Sequence, residues 1–189
     1  LDYKLPPELL ALTPCQGRDR ARLMVAHKST GEVEHAHVAD LPHFLKHDDL
    51  IVLNETTVIP ARFQGTRIDS GGHIEGLWIE ALGEPSRQEG VQWRVMLKGN
   101  GKLRPGLTLA IRDRHGCQDV HTLVLDEIDK NTWIVHSEPA LEAKIFLDQV
   151  GLAPLPPYIL AARRRKGIAG LDSEDRDAYQ TVYANPVCA

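Results

Sequence analysis

This chain of 189 residues has few cysteines, and none of them are paired in sequence. Cys15, Cys117 and Cys188 are odd in number, far apart and never in a C-x-x-C arrangement, which excludes a disulfide framework and a cysteine zinc cluster and leaves ordinary reduced thiols. No apolar run approaches the roughly 20 residues that a bilayer-crossing helix needs, and no charged segment followed by an apolar signal core opens the chain. A cytoplasmic protein with no membrane partner is the expectation. There is no G-x-G-x-x-G, no G-K-S/T phosphate loop and no G-x-S-x-G, so the common nucleotide and hydrolase signatures are missing. Internal repeats and low-complexity tracts are absent too. A large excess of one charge is also lacking. The formal net charge of -4 argues against polyanion binding by the whole surface but leaves room for one local basic patch on RNA.

What is present is the composition of a globular protein, 42% hydrophobic and 25% charged, in a chain long enough for one domain or two small ones. Leu5 to Leu12 places Pro6 and Pro7 before Glu8, Leu9 and Leu10, the order of a short helix with proline in its first turn. Arg22 to His27 and Glu32 to Val38 flank Ser29, Thr30 and Gly31 as a β-hairpin would. Asp40 is expected to cap a short helix over Leu41 to Leu45, and Leu50 to Leu53 reads as a buried strand.

From Val58 to His136 short alternating strands are punctuated by glycine: Val58 to Thr66, Ile74 to Leu82, Gln92 to Lys98, Thr108 to Arg112, His121 to Asp126 and Thr132 to His136. In Gln92 to Lys98, Trp93, Val95 and Leu97 fall on one face and Arg94, Met96 and Lys98 on the other. A small antiparallel barrel follows. Ser137 then offers an N-cap for a helix over Pro139 to Val150, closed by Gly151. Leu152 to Tyr158 reads as extended, Arg163 to Gly170 as a basic loop, and Asp172 or Ser173 caps a last helix, with Asp175 in the acidic position of a capping box.

Together these give an α/β (α+β) fold: a mixed αβ domain with an inserted small antiparallel β-barrel, divided as 1–64, 65–136 and 137–189. The chain opens on Leu1 rather than methionine and stops at Ala189 just after a helical segment, so the αβ domain is expected to be incomplete and the chain a truncated form.

Candidate chemistry is sparse. The segment Asn54-Glu55-Thr56-Thr57-Val58-Ile59-Pro60-Ala61-Arg62 concentrates amide, hydroxyl and guanidinium groups at the end of the Leu50 to Leu53 segment, where rigid structure can hold them. From the residues alone, a turn at Asn54 and Thr56 with a surface Arg62 is the simpler reading. Arg163, Arg164, Arg165 and Lys166 form the strongest cationic run and could follow a phosphate backbone; a solvated loop explains them equally, since the acidic stretch Asp172 to Asp177 partly cancels their field. His35 and His37 share a strand face as metal ligands could, but no third ligand follows from spacing, so exposed histidines and no metal are expected. Tyr158, Tyr179 and Tyr183 could stack on a base or face a cation, whereas Tyr179 and Tyr183, four apart on a helix, fit core packing.

Several strings read together carry a resemblance: LPPELLAL at Leu5 to Leu12, GRDRARLMV at Gly17 to Val25, GEVEHAHVADLPHFL at Gly31 to Leu45, DDLIVLNETTVIPARFQG at Asp48 to Gly65, GGHIEGL at Gly71 to Leu77, PLPPYI at Pro154 to Ile159 and DRDAYQTVYA at Asp175 to Ala184. In order and spacing they resemble the N-terminal half of the S-adenosylmethionine:tRNA ribosyltransferase-isomerase family of queuosine biosynthesis. The resemblance implies transfer and isomerisation of the ribosyl part of S-adenosylmethionine onto 7-aminomethyl-7-deazaguanine at the wobble position of tRNA with a GUN anticodon, giving epoxyqueuosine. S-adenosylmethionine is then a co-substrate, tRNA the partner, and a monomer is expected.

Carried over by position, Asn54, Thr56 and Arg62 fall on the family's strand-end motif, and Tyr179, Gln180 and Thr181 on its YQTVYA motif. The resemblance implies hydrogen bonding to cofactor or base for Asn54 and Thr56, an anionic group for Arg62 and stacking for Tyr179. Two departures stand out: Thr57 where the family usually has arginine, and Glu55 where it has aspartate. The family continues past this motif with an AAPTAGLHF stretch, and a catalytic base is as readily sought there as here.

Overall fold

In the computed structural model, residues 4–83, 91–168 and 172–185 are described. The chain divides into two compact units, one of residues 1–55 and 156–170, the other of residues 56–155 and 171–189.

The first unit contains the expected hairpin. β1 (Arg22–Ala26) and β2 (Val33–His37) pair antiparallel, with Met24 opposite His35, and Gly31 takes the positive φ of 76° that the turn requires. Around it lie 3-10 turns at Pro7–Leu9, Arg18–Arg20 and Val38–Phe44. Asp40 does not precede its helix as expected. It sits inside the turn and reaches back to accept the His37 N–H at 2.9 Å, so His37 is the cap residue and Asp40 the reciprocal half of a capping box.

The expected buried strand Leu50 to Leu53 is not formed: Leu50 is 89% and Val52 85% exposed. An apolar run becomes a strand only where a neighbour takes its N–H and C=O groups, and β1 and β2 form a two-stranded sheet by themselves.

α2 (Pro157–Arg165) completes this unit. It starts with proline at its first position, where a missing N–H costs nothing, and so absorbs Tyr158 from the segment expected to be extended. It also absorbs Arg163 to Arg165 from the expected basic loop. Arginine is a good helix former and its charge complements the negative C-terminal end of the helix dipole; Lys166 caps the helix and Gly167 follows at φ 67°.

The second unit is built on a closed barrel of six antiparallel strands in the order β3-β4-β5-β8-β7-β6. The strands are β3 (Arg62–Arg67), β4 (His73–Leu82), β5 (Gln92–Gly99), β6 (Thr108–Arg112), β7 (Asp119–Asp129) and β8 (Thr132–Glu138). Closure comes from β3 against β6, with Thr66 opposite Ala110. Alternation along each strand sends Phe63, Ile74, Trp93, Val95, Leu109, Ile111, Leu123, Leu125 and Val135 inward, all with no exposed surface.

The interior is crowded enough to require glycine at Gly76: a Cβ there would lie 2.1 Å from the Phe63 ring on the paired strand. α1 (Ala143–Val150) adds Phe146, Leu147 and Val150 to the same core, with Phe146 4.8 Å from Trp93 and 5.6 Å from Phe63 between ring centroids. Ser137 is not the cap expected of it: the helix starts at Ala143, not Pro139, its N-cap is Glu142 without a side-chain cap hydrogen bond, and Ser137 lies in β8, where its Oγ accepts the Leu141 N–H at 2.9 Å ahead of the helix. α3 (Asp172–Tyr179) belongs to this unit as well.

Candidate functional site

The polar strand-end segment is divided between the two units, with Asn54 in the first and Thr56, Val58 and Arg62 in the second. Asn54 and Thr56 are both exposed. Within the second unit, the segment from Val58 to Pro60 lines a pocket of about 140 Å³ together with Ala153, Pro154, Arg176, Tyr179 and Gln180. The structure therefore brings the two carried-over motifs together: residues of the strand-end stretch form one wall, and Tyr179 and Gln180 another.

What holds these walls is hydrogen bonding to main chain. Arg62 pairs with Leu152 as an isolated antiparallel bridge, its N–H donating to Leu152 O at 3.3 Å and its carbonyl accepting from Leu152 N at 2.6 Å. Its side-chain Nε donates to Ala153 O at 3.1 Å. Gly151 is needed here for close approach rather than for a left-handed cap, since its φ is -67° and a Cβ would lie 2.2 Å from Pro60 O.

Gln180 Oε1 accepts the Val58 N–H at 2.7 Å and its Nε2 donates to Val58 O at 3.3 Å, so one carboxamide satisfies both main-chain polar groups of a residue 122 positions away. The same Oε1 accepts the Thr181 N–H at 3.0 Å.

Sequence reasoning missed Asp172 and Arg176. Asp172 was expected as a helix cap; its carboxylate instead accepts the Ala153 N–H at 2.8 Å and pairs with Arg176 Nε at 2.7 Å, while Arg176 also donates to Gly151 O. The available signal was their i,i+4 spacing, that of neighbours on one helix face.

Tyr179 is the last residue of α3 and 42% exposed, and Tyr183 lies beyond the helix, also exposed, which corrects the core-packing reading of that pair: the helix ends before Tyr183 can join its face. Tyr179 is thus an apolar ring presented at the rim of the pocket. Thr57, next in sequence to the pocket-lining Val58, has its hydroxyl buried and without a hydrogen-bond partner.

In the first unit the basic run is split by the helix. Arg163 is 7% exposed and its Nε donates to Leu12 O at 2.7 Å, fixing the N-terminal segment. Arg164, Arg165 and Lys166 are exposed. His35 and His37 are exposed on β2, and among the described residues no group of three or more histidine, cysteine, aspartate or glutamate side chains is placed to hold a metal ion. Cys15 and Cys117 are free and exposed, while Cys188 lies outside the described residues. No described helix is long and apolar enough to cross a membrane.

Barrel, helix and pocket define a mixed α+β protein with a small closed antiparallel barrel and a polar-clamped site against its closing segments. Residues 1–189 match the family described as "Queuosine biosynthesis protein", and the chain belongs to that family. It is similar to the S-adenosylmethionine:tRNA ribosyltransferase-isomerase of Syntrophus aciditrophicus, with 36% identity over 197 residues that cover 97% of this chain and 52% of that protein. Among solved structures it is similar to the S-adenosylmethionine tRNA ribosyltransferase of Thermotoga maritima, with 30% identity, 88% of this chain and 54% of that chain covered, and a TM-score of 0.36. The chain spans about half the length of these relatives.

Proposed function

We propose that this chain serves a tRNA-modifying ribosyltransferase-isomerase, which transfers and isomerises the ribosyl moiety of S-adenosylmethionine onto 7-aminomethyl-7-deazaguanine at the wobble position of tRNA. The observation that carries this reading is its 36% identity, over 97% of its length, to a protein named for that reaction. The pocket supports it: residues of the two strings that resemblance singles out, Asp48 to Gly65 and Asp175 to Ala184, 110 or more residues apart in sequence, both line it.

In this reading the barrel is inserted in a mixed αβ domain, and S-adenosylmethionine is a co-substrate with no metal required. The exposed ring of Tyr179 offers a stacking face for a base or a sulfonium, because aromatic faces attract both. Asn54 and Thr56, both exposed, are assigned hydrogen bonds to cofactor or base. Arg62 and Gln180 act through the backbone they hold, and Thr181 through its N–H, which donates to Gln180 Oε1. Arg164, Arg165 and Lys166 are assigned to the tRNA phosphates, and Arg163, turned onto Leu12, to holding their helix. The cytoplasm is the compartment this substrate implies.

A second reading, a tRNA-binding module without chemistry, is favoured by Thr57, whose partnerless buried hydroxyl stands where the family usually has arginine.

Binding of this chain to tRNA bearing the aminomethyl-deazaguanine, with and without S-adenosylmethionine and at two salt concentrations, tests both. The first reading expects salt-sensitive tRNA binding and measurable S-adenosylmethionine affinity; the second expects the former alone. No tRNA binding at either salt concentration overturns both.

A further inference from the structure

α3 and the residue just past its end turn polar side chains onto main chain at intervals of four. Asp172 takes the N–H of Ala153 at 2.8 Å, Arg176 bridges from Asp172 to the carbonyl of Gly151, and Gln180 takes both polar groups of Val58. Asp172 and Arg176, four apart, lie on one face of α3, and Gln180, just past its end, adds the third rung. Two rungs fix the segment from Gly151 to Ala153, and the third fixes Val58. Those are the walls of the pocket, and Tyr179 sits beside the third rung at its rim.

Val58 lies outside β3 and, unlike the residues from Arg62 onward, is not held by a strand ladder. The carboxamide of Gln180 presents the same donor and acceptor that a neighbouring strand would, so it stands in for that neighbour. Such a contact adds little net stability, because both partners exchange it for water on unfolding, but it is strict in geometry. It acts on a pocket wall and not on the barrel core.

We infer that Gln180 is a positioning residue: its carboxamide clamps the Val58 peptide, and with the Asp172 and Arg176 rungs it sets the width of the pocket and the placement of Tyr179 for the ligand bound there. This rests on the reading of the pocket as part of the S-adenosylmethionine site.

The test compares Gln180→Met, which keeps the length but removes both hydrogen bonds, with Gln180→Glu, which keeps only the acceptor. In the whole 189-residue chain, amide exchange at Val58 and Thr181, the thermal midpoint by tryptophan fluorescence, and affinity for S-adenosylmethionine and for precursor tRNA are measured. In Q180M, exchange at Val58 and Thr181 rises about tenfold with the midpoint unchanged, and S-adenosylmethionine affinity falls about tenfold, the scale of one or two lost hydrogen bonds. The loss for tRNA is smaller by about fivefold. Q180E falls between Q180M and wild type in Val58 exchange.

Unchanged Val58 exchange in Q180M overturns the inference, as does accelerated exchange with undiminished S-adenosylmethionine affinity. A lowered midpoint with faster exchange throughout the barrel also overturns it, since Gln180 would then hold the fold and not the pocket. If the wild-type chain itself does not bind S-adenosylmethionine, the site reading fails and the ligand named here with it, while Val58 exchange still decides whether the clamp exists.

Discussion

The barrel unit buries a continuous core, whereas in the unit formed by residues 1–55 and 156–170 only Ala162 and Arg163 are buried among the described residues. The difference is one of connectivity. Each barrel strand has a ladder on both sides, so inward side chains face others across a closed space. The first unit instead has a hairpin, three 3-10 turns and one helix, all formed by contacts close in sequence, and its apolar run at Leu50 to Leu53 stays in solvent. Local order can be written in a few residues, but a core needs long-range closure.

The largest effect that can break this comparison is at Phe146. Its ring has no exposed surface and packs on Phe63 and Trp93, so Phe146→Ala removes a plug that three elements share. A loss of about 3–5 kcal/mol is expected, the scale for emptying a large aromatic site. Trp78, Trp93 and Trp133 all belong to the barrel unit, so a denaturant melt followed by tryptophan fluorescence reads it directly. A loss under about 1 kcal/mol would mean the core is far less tightly closed than its burial indicates.

Arg163 is the corresponding anchor of the first unit, and a smaller one. Arg163→Ala leaves Leu12 O without that donor and is expected to cost about 1–3 kcal/mol, seen as faster proteolysis or amide exchange around Leu12. Arg165→Ala, on the exposed side, should leave those amides unchanged while lowering tRNA affinity and reducing the slope of its salt dependence by about one. Equal behaviour of the two variants would erase the division of the basic run into anchor and surface.

The division shows what the sequence carries and what it does not. The barrel strands were legible because alternation is a local signal: Thr108 to Arg112 is β6 as read. β7 was read short, ending at Asp126, because a bulge between Leu125 and Glu127 breaks the alternation while the strand runs on to Asp129. Leu50 to Leu53 failed for the opposite reason, since its pattern is strong but a strand's partner is not written in the strand. In the candidate site, the residue strings named Tyr179 and Gln180, but nothing local showed that Gln180 would bond to Val58 or that Asp172 would leave its capping role for Ala153. Their partners are main-chain atoms, which have no residue identity to read.

At the rim of the barrel, the Arg67 guanidinium grips Asp69 at 3.0 and 2.7 Å and also reaches Asn100 O at 3.4 Å. The hydrogen bonds from Arg67 hold the Asp69 carboxyl below its usual value. A group lowered in the folded state stabilises above the ordinary carboxylate range and loses that contribution as the pH falls through the lowered value. Asp69→Asn is therefore expected to destabilise the barrel slightly at neutral pH and to match wild type in acid. A difference that persists or grows on acidification would show that the pair is not what secures this turn.

The smallest expected effect bears most directly on the first unit. Val52 is 85% exposed, and replacing it with lysine removes an apolar side chain that stands mostly in solvent. The change in stability should lie within about 0.5 kcal/mol, as for other surface substitutions. Solubility should rise, because an exposed apolar run invites association. A measured loss above about 1 kcal/mol would mean that Leu50 to Leu53 is packed in solution, and would move the contrast between the units from connectivity to the detail of one segment.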